Sequence, residues 1–372
     1  MSSSKQNKHR RYHDYYLIND NEMGEVDFDL PIPQEKRSRC ICYTITILCI
    51  LFFIFFIVTY VVLPLIFMNS KTLQSALIFT RFGLHNEEKY FKTQRLPAYK
   101  NRYVTLENTR NNQEETLGLW HILPDDLAYK TIYDKPVDFD QALLHSQYSV
   151  LIYFHGTGED RADNRYKYRI FTPFFHVIAF DYRGYGDSSS GEISEENVVN
   201  DCIELYKWVR NKTTSDVYVW GHSLGAAIAA DTVAKFENEY KIKTKGLVLE
   251  SAFTNLHDEL YVHPLTKLLS WVPWFTATVV DPLTKNGFLF ETDKHISTIT
   301  CPMMILHAED DDEIPVKFGR KLYEIASARN ISTTIYHEFA KKEERGHVGI
   351  YDDTYMNLYV KNFLEVVNTT VG

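Results

Sequence analysis

Cysteine is scarce in this chain, with five among 372 residues. That is too few for a disulfide scaffold, and no two of them form a C-x-x-C pair of the zinc or redox type. Basic charge is also in deficit. The 40 Lys and Arg face 49 Asp and Glu, a net charge of −9, which is the wrong balance for gripping a phosphate backbone and excludes nucleic acid as a general partner. No Walker-type phosphate loop occurs, and no histidine–carboxylate cluster has metal-ligand spacing. A mean hydropathy of −0.28 excludes a multi-span membrane protein. What is present is 45% hydrophobic, 14% aromatic and 24% charged residues, the make-up of a folded globular protein.

From Cys40 to Met68 there is no charged residue. At about 1.5 Å per residue the run makes a helix roughly 43 Å long, whereas a bilayer core needs only about 20 residues. A signal peptide has an apolar region of about 7–15 residues close to the N-terminus and a small-residue cleavage site. This run starts later, is longer, and leads into Met68-Asn69-Ser70 with no Ala-x-Ala pattern. It reads as a permanent transmembrane helix over 40–68. Lys36, Arg37 and Arg39 precede it, which predicts a cytoplasmic N-terminus and a lumenal or extracellular remainder, with the endoplasmic reticulum membrane as the expected location. Three glycosylation sequons, at Asn211, Asn330 and Asn368, all follow the span. Residues 1–39 read as a disordered cytoplasmic tail, a basic cluster followed by an acidic stretch. Cys40 and Cys42 read as span residues rather than palmitoylation sites. Residues 69–100 read as a juxtamembrane linker carrying Leu73, Leu77, Phe79, Phe82 and Leu84. The sequence leaves open whether that stretch lies in the membrane interface or packs on the domain that follows.

Over 101–372 short apolar runs alternate with helical stretches. Strands are expected at Tyr103–Leu106, Leu117–Ile122, Val150–Phe154, Val177–Phe180, Val217–Trp220, Leu247–Glu250, Met303–Leu306 and Thr333–Tyr336. Helices are expected at Glu195–Arg210, Leu224–Glu239, Val316–Ala328 and Thr354–Val367. Strands with little polar alternation, separated by helices, predict an α/β fold whose mostly parallel sheet is covered on both faces.

The strongest local pattern is Gly221-His222-Ser223-Leu224-Gly225, after the strand Val217-Tyr-Val-Trp220 and before the alanine-rich Ala226–Ala230. A strand-to-helix turn this tight needs side-chain-free residues at Gly221 and Gly225, and it raises the Ser223 hydroxyl at a helix N-terminus. A serine nucleophile needs a base, and the base needs an acid, in the chain order Ser, Asp/Glu, His. Ser223, Asp311 after the strand Met303–Leu306, and His347 on the loop Gly346-His-Val-Gly349 satisfy that order. His337 is the nearby rival but falls inside the last strand. The oxyanion hole is expected from the amides of Leu224 and of Thr157, the latter in His155-Gly-Thr-Gly158. In Asp181-Tyr-Arg-Gly-Tyr-Gly-Asp187, Asp181 and Arg183 read as braces of a loop.

About 50 residues separate Glu250 from Met303, more than a simple crossover needs. This insert, about 254–298, carries Trp271, Trp274 and Phe275 and reads as a helical lid over the site, its aromatic cluster suited to a membrane interface. Cys202 and Cys301 read as buried thiols, with a disulfide between them left open. His155/Asp160 and His347/Asp352 each match H-x-x-x-x-D, a string associated with acyltransferases that arises readily by chance.

Together HGTG, DYRGYGDS, WGHSLG, LESAFTN and LHAEDDDEIP behind one N-terminal span resemble the alpha/beta-hydrolase domain-containing family of membrane serine lipases. The resemblance is to its lysophosphatidylserine lipase and monoacylglycerol lipase branch, and it covers most of residues 100–365. It implies an alpha/beta-hydrolase fold and lumenal hydrolysis of single-chain lipids without a cofactor. The family spacing, an Asp, two residues, a β-branched residue and Pro, selects Asp311 among Asp310, Asp311 and Asp312 when counted back from Ile314-Pro315. The same constellation would also serve a carboxylesterase or thioesterase. The alternatives of an acyltransferase and of a catalytically dead lipid-binding module fit less well.

Overall fold

The computed structural model describes residues 34–81, 85–94, 96–108, 113–329 and 333–370. The tail over 1–33, Phe82, Leu84 and the sequon at Asn330 lie outside the described residues. The chain divides into two compact units, one ending at Val62 and the other beginning at Leu63.

The first unit is helical, Gln34–Ile57 followed by a π-helical turn Val58–Val62. Ile45, Phe52, Phe53 and Phe55 all point outward. A helix with its apolar side chains exposed serves no protein core, and lipid is the solvent that suits it. Among the described residues, Ile41–Asn69 is the one helix long and apolar enough to cross a membrane.

The second unit opens with helix Leu63–Asn69, which carries Pro64. A proline ring clashes with the carbonyl four residues back, and the widened π turn lies where that carbonyl falls. The rest is built on one eight-stranded sheet: β1 Tyr99–Asn108, β2 Gln113–Ile122, β3 Ser149–Phe154, β4 Phe175–Phe180, β5 Val217–His222, β6 Gly246–Glu250, β7 Met303–Ala308 and β8 Thr334–Phe339. Their spatial order is β1-β2-β4-β3-β5-β6-β7-β8. β2 runs antiparallel to β1 and β4, and all other pairings are parallel. Every residue of β4, β5, β6 and β7 is buried, the signature of strands covered on both faces. On one face Tyr218, Trp220 and Met304 meet Phe171 and, from helix Met356–Thr370, Val360 and Phe363. Strand alternation turns Val217 and Val219 to the other face, where helix Leu224–Lys235 packs on β5. Its run of alanines lets it lie close to the sheet. This is the alpha/beta-hydrolase arrangement.

The stretch after Asn69 is not a linker, and the globular unit starts well before residue 101. Helix Lys71–Ile78 is capped by Ser70, whose Oγ accepts from the Leu73 amide at 3.3 Å. Ser75 Oγ donates to the Ile193 carbonyl at 2.7 Å, and the Gln74 side-chain carbonyl accepts from Asn286 Nδ2 at 2.6 Å. Phe79 is buried edge-on against Phe288 and Phe290. Phe91 is buried under the Arg161 guanidinium, 3.7 Å from its ring centre. Burying these aromatic side chains holds the segment on the domain.

The insert over 254–298 is made of short helices, Leu256–Leu260, Pro264–Lys267, Asp281–Lys285 and Thr292–Thr298, with a π-helical turn Thr276–Val280. Its aromatic residues do not form one outward cluster. Trp271 is 74% exposed, but Phe275 is 1% exposed and packs on Tyr261.

Candidate active site

Ser223 stands on the turn between β5 and helix Leu224–Lys235, with φ +55° and ψ −123°. Few side-chain-bearing residues tolerate this conformation, and the flanking glycines explain how the turn closes. A Cβ on Gly221 would lie 2.4 Å from the Gly225 carbonyl oxygen, and one on Gly225 would lie 2.3 Å from that of Phe154. Neither space exists. His347 follows β8 and Asp311 follows β7, so all three residues come from the carboxyl ends of parallel strands, where open α/β sheets form their binding crevice.

His347 Nε2 lies 3.0 Å from Ser223 Oγ, and His347 Nδ1 lies 2.8 Å from Asp311 Oδ2. Asp311 Oδ1 accepts from the amides of Glu313 and Ile314 at 3.0 and 2.8 Å. His307 stands 3.5 Å from Oδ2 and has its own Nε2 engaged by the Ile314 carbonyl at 2.8 Å. Burial alone would raise the Asp311 pKa. The hydrogen bonds of His307 and His347 outweigh it and hold the carboxyl well below the usual carboxylate range. Asp311 is therefore a fixed anion behind the imidazole. His337, by contrast, lies within β8 against Phe339 and Tyr359.

Ser223, His347, Leu224 and Thr157 line one cavity of about 460 Å³. Its walls are largely apolar, with Leu77, Ile78, Phe253, Leu256, Leu260 and Leu265 among them. The insert thus contributes Leu256, Leu260 and Leu265 to the cavity, not Trp271, Trp274 or Phe275. Leu77 and Ile78 come from the helix that follows the apolar span. The Thr157 loop is fixed by the Gly156 amide, which donates to Glu159 Oε2 at 2.9 Å. Asp160, the acid of the first H-x-x-x-x-D string, accepts from the Ala162 amide at 2.8 Å and pairs with His85 at 3.1 Å, which makes it a loop brace. Asp181 and Arg183 do similar work, Asp181 with Arg161 and Arg183 with Asp201 at 2.5 Å.

The sequence reading missed the clamp behind the base. His222 Nε2 donates to the His347 backbone carbonyl at 3.1 Å, and Ser251 Oγ donates to the same oxygen at 2.9 Å. Below them a buried Lys167–Glu250 pair closes at 3.0 Å, and Trp220 Nε1 donates to Glu250 at 2.7 Å. The LESAFTN string held the signal, since it places Glu250 and Ser251 at the end of β6 beside the nucleophile turn.

Cys202 and Cys301 are buried, with no disulfide between them. Asn211 and Asn368 are exposed. Among the described residues no group of His, Cys, Asp and Glu could hold a metal ion.

A family model described as serine aminopeptidase, S33, matches residues 146–287, which take in β3, β4, β5, β6 and the nucleophile turn. A lysophosphatidylserine lipase ABHD12 of Xenopus tropicalis is 32% identical over 324 residues, which cover 84% of this chain and 82% of that protein. That of Macaca fascicularis is 33% identical over 72% of this chain and 67% of its own length. Protein ABHD12B of Homo sapiens is 36% identical over 56% of this chain and 58% of that protein. Among solved structures, an esterase of Pyrococcus furiosus superimposes with a TM-score of 0.51 at 17% identity, covering 77% of this chain and 97% of its own. That likeness shows the fold alone. The identity spread over most of both chains is what places the protein: it belongs to the ABHD12 family of alpha/beta-hydrolases and is an ester-hydrolysing serine enzyme.

Proposed function

We propose that the protein is a membrane-anchored lipase that hydrolyses the acyl ester of lysophospholipids, lysophosphatidylserine foremost, and of monoacylglycerols. The observation that carries this reading is the 3.0 Å approach of His347 to Ser223 on the wall of a largely apolar cavity. His347 takes the Ser223 proton as Oγ attacks the acyl carbon. Asp311 holds the Nδ1–H tautomer and steadies the imidazolium. The Leu224 and Thr157 amides donate to the oxyanion. His347 then protonates the departing alcohol, and a water activated by the same imidazole releases the fatty acid from the acyl-enzyme. No cofactor takes part. An acyl chain lying against Leu77 and Ile78 in this cavity contributes about 0.8 kcal/mol per methylene buried. The head group is supported by the names of the relatives, the lysophosphatidylserine lipases of Xenopus tropicalis and Macaca fascicularis.

The membrane is the second partner in this reading. Helix Leu63–Asn69, the end of the apolar span, packs against Thr276–Val280 of the insert. The same insert exposes Leu265, Leu268 and Trp271. The orientation is supported by Lys36, Arg37 and Arg39 before the span, which favour a cytoplasmic N-terminus and a lumenal catalytic domain, in the endoplasmic reticulum on this reading, with the exposed Asn211 and Asn368 open to glycosylation.

The test is a fluorophosphonate probe followed by a substrate panel. Wild type should label and Ser223→Ala should not, and lysophosphatidylserine and monoacylglycerol should outrun acyl thioesters and short soluble esters. Equal kcat/KM for acetyl and long-chain esters returns the enzyme to the general esterases. Protease added to sealed microsomes should trim the tail and spare the hydrolase domain; digestion of that domain without detergent overturns the topology.

A further inference from the structure

Helix Leu256–Leu260 passes over the cavity and brings an acid to it. Glu259 is 5% exposed, lines the cavity, and neither of its carboxyl oxygens has a hydrogen-bond partner. Buried polar groups are nearly always satisfied within a fold, and an orphan in a catalytic cavity is a place where substrate completes the bonding. Burial, with the charges of Asp311 and Glu313 adding to it and Lys317 opposing, pushes its pKa up to about 8. At neutral pH it is then mostly the acid, with one O–H to donate and a carbonyl oxygen to accept.

The end of the cavity it serves follows from the chemistry of the base. An imidazole that has taken the Ser223 proton returns it to the leaving oxygen, so the alcohol half of the ester lies on the Nε2 side of His347. Glu313 Oε2 is 4.0 Å from that nitrogen. Glu259, His263 and Glu313 line the cavity together with His347. Among the described residues lining the cavity there is no lysine or arginine to meet a phosphate. This end offers hydrogen bonds.

Resting on the lipase reading above, we propose that Glu259 determines specificity by binding the free glycerol hydroxyl beside the scissile ester. A 1-monoacylglycerol and a 1-acyl lysophospholipid share that hydroxyl, and a 1,2-diacyl lipid lacks it. The protonated carboxyl accepts from the hydroxyl and donates back to it. A 1,2-diacyl lipid would leave the acid buried and unpaired, and sites built around a substrate hydroxyl reject analogues without one far more strongly than apolar pockets reject a missing methylene.

The experiment compares 1-oleoylglycerol with propyl oleate, which has the same acyl chain and a three-carbon alcohol without hydroxyls, using the full-length enzyme in mixed micelles. Wild type should favour the glycerol ester at least tenfold in kcat/KM. Glu259→Leu should cut that ratio at least tenfold, and Glu259→Gln, whose amide both donates and accepts, should hold it within threefold. A wild-type ratio near one overturns the proposal without any variant. A ratio untouched by Glu259→Leu, or an equal fall on both esters, overturns it as well, since the latter marks a purely structural residue. Wild-type enzyme inert on both esters overturns the lipase reading and this inference together; activity on both with a ratio indifferent to Glu259 overturns this inference alone.

Discussion

His222, the residue before the nucleophile, donates its Nε2–H to the backbone carbonyl of His347 across 3.1 Å. The nucleophile turn and the loop carrying the base are therefore one mechanical piece. On its other side His222 Nδ1 lies 3.6 Å from the Glu159 carboxylate. Burial and Lys167 both oppose a charge on His222, yet Glu159 prevails and raises its pKa. Glu159 also caps the Gly156 amide, so the Thr157 loop joins the same assembly.

Removing the clamp should misplace the imidazole without dismantling the fold. For His222→Ala we expect kcat to fall about 10²-fold, the scale of a 1 Å misplacement. Stopped-flow labelling with a fluorophosphonate should slow in parallel. Wild-type rates in that variant would show that Ser251 alone positions His347.

Among three consecutive aspartates only Asp311 touches the base. Asp311→Asn should keep a folded protein and lose about 10⁴-fold in kcat, because an amide in that place selects the wrong imidazole tautomer. Asp310→Asn should stay near wild type. Steady-state kinetics on a long-chain ester decide it, and the reverse pattern refutes the assignment.

Acid stability should report on a buried histidine pair. His121 Nε2 and His176 Nδ1 meet at 3.0 Å. Burial holds the His121 pKa well below its ordinary value and lowers that of His176 to about 4. Because the folded values lie below the unfolded value of about 6.5, the unfolded chain binds protons first as the pH drops. The pair's contribution to stability is thus complete above about pH 6.5 and is lost as the pH falls towards 4. The Tm of wild type should fall more steeply between pH 7 and 5 than that of His176→Gln. Parallel curves would rule the pair out as an acid-sensitive element.

The exposed face of the insert makes a separate prediction. Leu268 is 78% exposed and Trp271 is 74% exposed, and Trp271 stays outside the cavity. The double variant Leu268→Ser/Trp271→Ala should lower turnover of oleoyl substrates embedded in vesicles several-fold and leave a short soluble ester unaffected. A matching loss on both substrates would mean that this face supports the fold rather than meeting lipid.

The sheet was legible because parallel strands buried on both faces leave uninterrupted apolar runs, and each run ended where a chemically marked loop began. That is how Ser223 and His347 could be placed on loops after strands, while the choice of Asp311 among three consecutive aspartates came from the family resemblance. The insert was not legible, because helices of four to seven residues are too short to show a period. Nothing in the string Trp271–Phe275 says that Phe275 turns inward to Tyr261 while Trp271 faces out. Glu259 carried no signal in the sequence for the same reason. The stretch 69–100 stayed ambiguous because the partners that bury Phe79, Phe288 and Phe290, lie some two hundred residues further along the chain.

The helix Lys71–Ile78 gives the cavity Leu77 and Ile78 while being stitched to the domain through Ser75 and Gln74. Shedding is therefore not a neutral event for this enzyme. A cut that takes residues 70–80 away with the span would remove Leu77 and Ile78 from the cavity wall and leave the serine in place beside an opened cavity. A truncated form that keeps lipid activity must retain the chain from about Ser70 onward.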